Sequence, residues 1–533
     1  MPSHSNAPPR PSVASPALDR GLAFSAVALA CGLALLPAPA SAQDKTAADA
    51  DPAPVSLPIA STDARVRIGG ERVRLPGSER MGLVGLTELF SVGGEWWVGP
   101  GVYGAATGGR GGLFVPGVEG AWSHPFNSWL AVDTGLFAGG GGGGAAPVGG
   151  GLMLRPHVDL VLRMGGFYTG PTWSKVRFIN GQINSNQFGW MLNFDSSFRY
   201  RPVQFVRDGA VTDGTATGLG FDRLDATFTR ETPRHARFTG GAPMTQSIGL
   251  VGLRAEHTID GPLWAGIETA GAATGGVAGY AEVLGTAGLR FPVIDDRLSL
   301  GVRGSAGLGG GGSIDTGGGI LVKGAVGATL RVTDTLGIGA EAGLVDAPRH
   351  ANFKARSIGL SLNWTLDAPT PRAYADWDAR GPADATRMEF GAGIEHYRAG
   401  RKAGPTAPLD AVALQINRFV TPHIYVSAQA HSALAGGAGA YSEGLFGVGA
   451  QLPVMSRLRL GAEVLGGAAG GGGVDTQGGK VLQARGYVDV GLTDSLSLRV
   501  GAGKIKSVHG GLDAPTVDAG LVFTFGVDRA AKR

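Results

Sequence analysis

Two short acidic turns repeat in this chain, Asp315-Thr316 and Asp475-Thr476. Each sits in a glycine-rich stretch, GLGGGGSIDTGGGILV at 307–322 and AAGGGGVDTQGGKVL at 468–482. A carboxylate beside a hydroxyl offers ligands to a cation or to a sugar. The same pair also closes a tight turn, because Asp accepts hydrogen bonds from its own backbone two residues on. A third glycine-rich stretch, GLFAGGGGGGAAPVGGGLML at 135–154, has Ala145-Ala146-Pro147 in that place. A ligand site repeated three times is therefore excluded. The run Asp475 to Val481 is no phosphate loop either. Val474 stands for the first glycine, and Val481 for the Ser or Thr that holds magnesium.

Other acid–base neighbours are Glu256-His257 and Glu395-His396. Adjacent strand residues point to opposite faces, so neither pair converges on one ion. No histidine spacing of the H-E-x-x-H kind occurs. Asp222, Asp225, Asp295 and Asp296 form a candidate rim cluster, but they stand at turn positions. Arg199, Arg201, Arg207, Arg223, Arg230, Arg234 and Arg237 are interleaved with acids. They read as a solvated loop, with lipopolysaccharide phosphates or a cross-lumen field as the rival readings. We expect no catalytic, cofactor-binding or metal-binding residues, and no enzyme activity.

The elements that hold these residues have a period of two. Leu482, Ala484, Val488 and Val490 share one face, and Gln483, Arg485, Tyr487 and Asp489 the other. Leu496, Leu498 and Val500 alternate with Ser497 and Arg499. This is the pattern of strands with one apolar and one polar surface. An arginine turned towards lipid at mid-depth costs ~2–4 kcal/mol. Arg459, Glu463, Arg485, Asp489 and Arg499 are accordingly expected to face a lumen.

The chain of 533 residues carries 93 glycines, 17% charged residues and a net charge of +3. Glycine at this level without a Gly-X-Y period excludes collagen. The small, unclustered charge excludes nucleic acid as a partner. Tyr280, Glu282, Leu284, Gly288 and Pro292 recur 161 residues later as Tyr441, Glu443, Leu445, Gly449 and Pro453. Asp315-Thr316 and Asp475-Thr476 are 160 apart. A more diverged first copy matches Gly151, Leu152, Leu154, Leu162 and Arg163 to Gly319, Ile320, Val322, Leu330 and Arg331. Three repeats follow, at about 64–198, 222–367 and 386–527. Each holds seven or eight strand-like runs. The expected fold is all-β: a large antiparallel transmembrane β-barrel of about 24 strands, with three tandem small barrels as the alternative.

Arg10 and Arg20 precede an apolar run, Gly21 to Leu36, and Ala40-Ser41-Ala42 is a small-x-small cleavage site. Residues 1–42 read as a signal peptide and 43–63 as a disordered segment. The barrel then spans 64–527, and 528–533 form a tail. The single cysteine, Cys31, lies inside the signal. Near the chain's end, Ala519 to Val527 (AGLVFTFGV) alternates and carries Phe523 and Phe525. It resembles the aromatic closing strand of bacterial outer-membrane β-barrel proteins. The resemblance implies the bacterial outer membrane after Sec-type export. It also implies outer-membrane lipid, lipopolysaccharide and the barrel-insertion machinery as partners, with small solutes or polysaccharide as possible cargo. The expected function is a porin-like or polymer-conducting channel with passive transport through a polar lumen. The alternative is a structural or surface-assembly protein (an adhesin, a biofilm-matrix or a secretion accessory) whose glycine-rich loops are the working surface.

Overall fold

A computed structural model describes residues 58–165, 167–206, 211–212, 217–218, 220–294, 297–348, 351–366 and 383–530. The signal segment, with Cys31, and the pair Asp295-Asp296 lie outside them. Among the described residues no helix is long and apolar enough to cross a membrane.

The first repeat forms β1 (Ala60–Arg74), β2 (Arg80–Gly93), β3 (Trp96–Thr107), β4 (Phe114–Pro125), β5 (Leu130–Gly139), β6 (Met153–Met164), β7 (Phe167–Phe178) and β8 (Asn184–Tyr200). A two-residue strand, β9 (Val211–Thr212), follows. The second repeat gives β10 (Arg223–Ala236), β11 (Ile248–Asp260), β12 (Leu263–Thr274), β13 (Ala281–Ile294), β14 (Leu298–Gly310), β15 (Ile320–Arg331), β16 (Leu336–Asp346) and β17 (Phe353–Thr365). The third gives β18 (Ala383–Ala399), β19 (Ala407–Phe419), β20 (Ile424–Ala435), β21 (Ser442–Met455), β22 (Leu458–Gly470), β23 (Lys480–Gly491), β24 (Leu496–Ser507) and β25 (Asp513–Ala530). Strand β1 begins at Ala60, inside the stretch expected to be disordered.

Each repeat closes on itself. β1 pairs with β8 from Ala60↔Tyr200 to Glu71↔Gly189. β10 pairs with β17 from Arg223↔Thr365 to Ala236↔Phe353. β18 pairs with both β19 and β25. The result is three closed eight-stranded antiparallel barrels, so the single 24-stranded barrel is replaced by its alternative. The physical reason lies inside. Eight strands enclose a space just wide enough for side chains to fill. The inward residues of each repeat are large enough to fill it.

The outside of each barrel is apolar. Ile358, Leu360, Val326, Val464 and Leu482 are all more than half exposed. Trp96, Phe126 and Trp129 stand exposed at one end of the first barrel. That end carries short turns, such as 94–95, 261–262 and 456–457. The opposite end carries the glycine-rich tips at 140–152, 311–319 and 471–479. We call it the tip end.

The three barrels pack in a ring. The hairpin between β3 and β4 meets the tip of the second barrel, where the Gly111 amide donates to Gly317 O at 2.9 Å. The hairpin between β12 and β13 meets the tip of the third, where a Cβ at Gly470 would lie 2.2 Å from the Gly279 nitrogen. The hairpin between β20 and β21 meets the tip of the first, where the Gly439 amide donates to Gly149 O at 3.2 Å. Each contact is hairpin to tip, a head-to-tail interface that closes after three. At the centre, Ala64 and Phe198, Ala226 and Leu253, and Met388, Ile416 and Phe525 form one apolar hub drawn from all three barrels. The segment after β8 is tied to the third barrel. Arg201 is fully buried, and its guanidinium pairs with Asp528 at 2.8 and 2.6 Å. Beyond it, β9 adds to the edge of β18.

Candidate functional sites inside the barrels

Alternation puts every second side chain of each strand inside its barrel. Near the tip end those side chains are apolar. Val73, Met81, Leu113, Phe137 and Ile183 cluster in the first barrel. Leu250, Tyr280, Ile314 and Phe353 do so in the second, and Leu409, Tyr441, Val474 and Ile505 in the third. Beyond these clusters the interiors are charged and paired.

In the third barrel, the five residues expected to face a lumen all point inward. The Arg485 guanidinium lies 3.0 Å from Glu463 and 3.0 Å from Asp518. Arg499 bridges Asp489 at 2.7 Å and Glu389 at 2.9 Å. Arg459 donates to Ser497 at 2.7 Å. Gln415, Gln429 and Tyr425 also donate to Glu463. These residues hold one another across the interior. A buried pair of this kind adds little net stability, but removing one partner strands a charge.

The first barrel centres on Arg67. Its guanidinium reaches Glu119 at 2.6 Å, Asp133 at 2.8 Å and Asp159 at 3.0 Å. His157 lies between Glu119 and Asp159, at 3.2 and 3.1 Å. In the second barrel Arg254 joins Asp225, Glu256 and Glu341, and Arg303 joins Glu341 and Glu268. The cavity beside them measures about 50 Å³ and is lined by Arg223, Arg254, Arg290 and Glu341, among others. Pockets for small molecules usually span ~300–1,000 Å³.

One layer recurs in all three. Glu71 on β1 pairs with Arg155 on β6 at 2.9 Å. Glu231 on β10 pairs with Lys323 on β15 at 2.9 Å, and Lys323 also binds Glu282. In the third barrel Glu395 on β18 faces Gln483 on β23, which donates to it. Here the strand-six partner is neutral, and His431 from β20 supplies the nitrogen instead. Its Nδ1 lies 2.8 Å from Glu395 and 3.3 Å from Glu443. Linear spacing gave no sign of this trio, because its members come from three strands.

The remaining sequence candidates disperse. His396 faces outward and meets Asp410 at 2.6 Å, while Glu395 points inward. His257 meets the Gly220 carbonyl at 2.6 Å, while Glu256 is buried with Arg254. Asp225 belongs to the second interior. Asp222 accepts the Thr258 amide at 2.7 Å, and burial pushes its carboxyl above the ordinary range. Arg201 is taken by Asp528 and is not on a free loop. The tip residues serve the turns. Asp315 accepts from the Gly317 amide and from Asn352, and Thr316 donates to Gly309 O at 3.0 Å. Asp475 accepts from the Gly511 amide at 2.9 Å, and Thr476 is fully buried.

No protein-family model matches the chain, and no curated protein matches it. Solved structures similar to it are β-barrels of outer membranes or of design. The outer membrane protein opdK from Pseudomonas aeruginosa is 11% identical, with 89% of this chain and 100% of that chain covered and a TM-score of 0.21. The siderophore receptor PirA from Acinetobacter baumannii is 9% identical over 89% and 81%, with a TM-score of 0.27. A structure from the de novo design of transmembrane beta-barrels is 12% identical over 26% and 94%, with a TM-score of 0.20. None of them assigns the chain to a specific family.

Proposed function

We propose that this chain is a non-enzymatic structural protein of the bacterial outer membrane, a scaffold of three filled barrels that presents its glycine-rich end at the cell surface. The observation that carries this reading is the packing of all three interiors with apolar clusters and paired charges. An ion or solute would have to break those pairs to pass. The porin-like channel expected from the alternation is thus the weaker reading. Alternation alone is the same for a filled barrel and for an open one.

Membrane placement rests on the outer surface. Lipid accommodates closed barrels because every strand edge is paired. At the tip end each barrel carries two exposed cations around one inward apolar residue. These are Arg72-Val73-Arg74, Lys354-Ala355-Arg356 and Lys504-Ile505-Lys506. On β17 the next outward positions are Ile358 and Leu360, 68% and 59% exposed. Cations just outside an apolar band suit a headgroup region, and phosphates of lipopolysaccharide fit them. Short turns at the far end fit the periplasmic side. This reading takes Sec-type export and the barrel-insertion machinery as the route there.

Purified protein in planar bilayers tests it. We expect a quiet membrane, and regular conductance steps would restore the channel. We also expect the protein in the outer-membrane fraction, with a gel mobility that shifts on boiling. Release into buffer by carbonate would remove it from the membrane.

A further inference from the structure

The third barrel differs from the other two at the layer of the recurrent glutamate. In the second barrel a lysine ammonium sits between Glu231 and Glu282 and serves both. In the third, Glu443 stands at the repeat position of Glu282, and Gln483 at that of Lys323. The permanent cation is gone while both acids remain.

His431 is aimed at the gap. One nitrogen, Nδ1, faces both carboxylates, yet a single N–H serves only one acceptor well. Glu443 Oε2 is buried and takes no hydrogen bond, and Glu395 Oε2 has only the His431 Nδ1, 2.8 Å away, beside it. The other nitrogen is committed, because Nε2 lies 3.2 Å from Gln429 Oε1. The Gln429 amide group is in turn held by Glu463 at 2.7 Å and Ser427 at 3.1 Å. An imidazole that donates through Nε2 turns its Nδ1 lone pair into the trio. That is how proteins orient a histidine that binds metal.

We propose that Glu395, His431 and Glu443 form a site for one divalent transition-metal ion, Zn²⁺ being the best match to one imidazole and two carboxylates. The three ligand atoms lie within 4.8 Å of one another and all three residues are buried. A divalent ion takes the Nδ1 lone pair in place of a proton, gives the stranded Glu443 oxygen a partner and restores the positive charge that Lys323 supplies next door. The second repeat cannot do this. The repeat position of His431 is Ala270 in the second barrel, where Lys323 already fills the layer. The apolar cluster of Tyr397, Tyr441, Leu465 and Ile505 covers the site, so the ion enters while the barrel closes.

The test is to refold the full chain into detergent with Zn²⁺ present, remove free ion with a chelator, and measure bound zinc by mass spectrometry. We expect one zinc per chain, retained in the folded protein. The double variant His431→Ala with Gln483→Lys should fold, because it copies Ala270 and Lys323 of the second barrel, and should bind none. Glu443→Gln should lose the zinc as well. X-ray absorption of the wild-type protein should show one nitrogen and otherwise oxygen ligands. A folded wild type without stoichiometric zinc overturns the site, whatever the variants do. So does zinc that stays in the His431→Ala, Gln483→Lys double variant.

Discussion

At the scale of the residue, the interiors are held by charges that have little water to fall back on. Arg67 is 4% exposed and pairs with Glu119, Asp133 and Asp159 at once. Arg67→Met keeps the bulk of the side chain and leaves the acids facing one another. It should cost about 3–5 kcal/mol in denaturant unfolding from detergent, as for other broken buried pairs. A loss within error would mean that water reaches this layer. The sequence disclosed that such residues point inward, since alternation and the cost of lipid-facing charge decide it. It did not disclose their partners. Arg67 and Asp159 are far apart in the chain and meet only across the barrel.

At the scale of the element, strands and turns were largely legible. The alternation read from Leu482 to Val490 and from Leu496 to Val500 falls on β23 and β24. The closing partner of each first strand was not legible. β1 with β8 and β1 with a strand 24 places on present the same edge and the same alternation. The role of the glycines was also hidden. A Cβ at Gly112 would lie 2.1 Å from the Gly311 nitrogen, and its φ of +87° disfavours any side chain. Gly112→Val should therefore loosen the joint between the first and second barrels by about 1–3 kcal/mol, the usual range for overpacking. Each barrel should stay closed, so the boiling shift persists while proteolysis between 201 and 222 quickens. Cleavage at the wild-type rate would show that the joint does not depend on this contact.

At the scale of the whole molecule, the threefold repeat read from the sequence is the architecture, with the repeats as separate compartments. What binds them is partly electrostatic. Arg201 and Asp528 are far apart in sequence and lock the first connector to the end of the third barrel. Arg201→Asp or Asp528→Arg alone should each destabilise that lock by about 3 kcal/mol. The reciprocal double variant should recover much of the loss, a coupling that a double-mutant cycle reads directly. Singles and double that simply add would remove the lock from the account.

The ring of hairpins and tips has an evolutionary consequence. In a trimer of identical chains, one codon change alters three sites at once, and an awkward interior must be tolerated in triplicate. Here a mutation falls in one compartment while two siblings keep their own interiors intact. Drift in a single copy is thereby buffered. The exchange of a lysine for a glutamine and a nearby histidine in the third barrel is the kind of single-copy experiment that such redundancy allows.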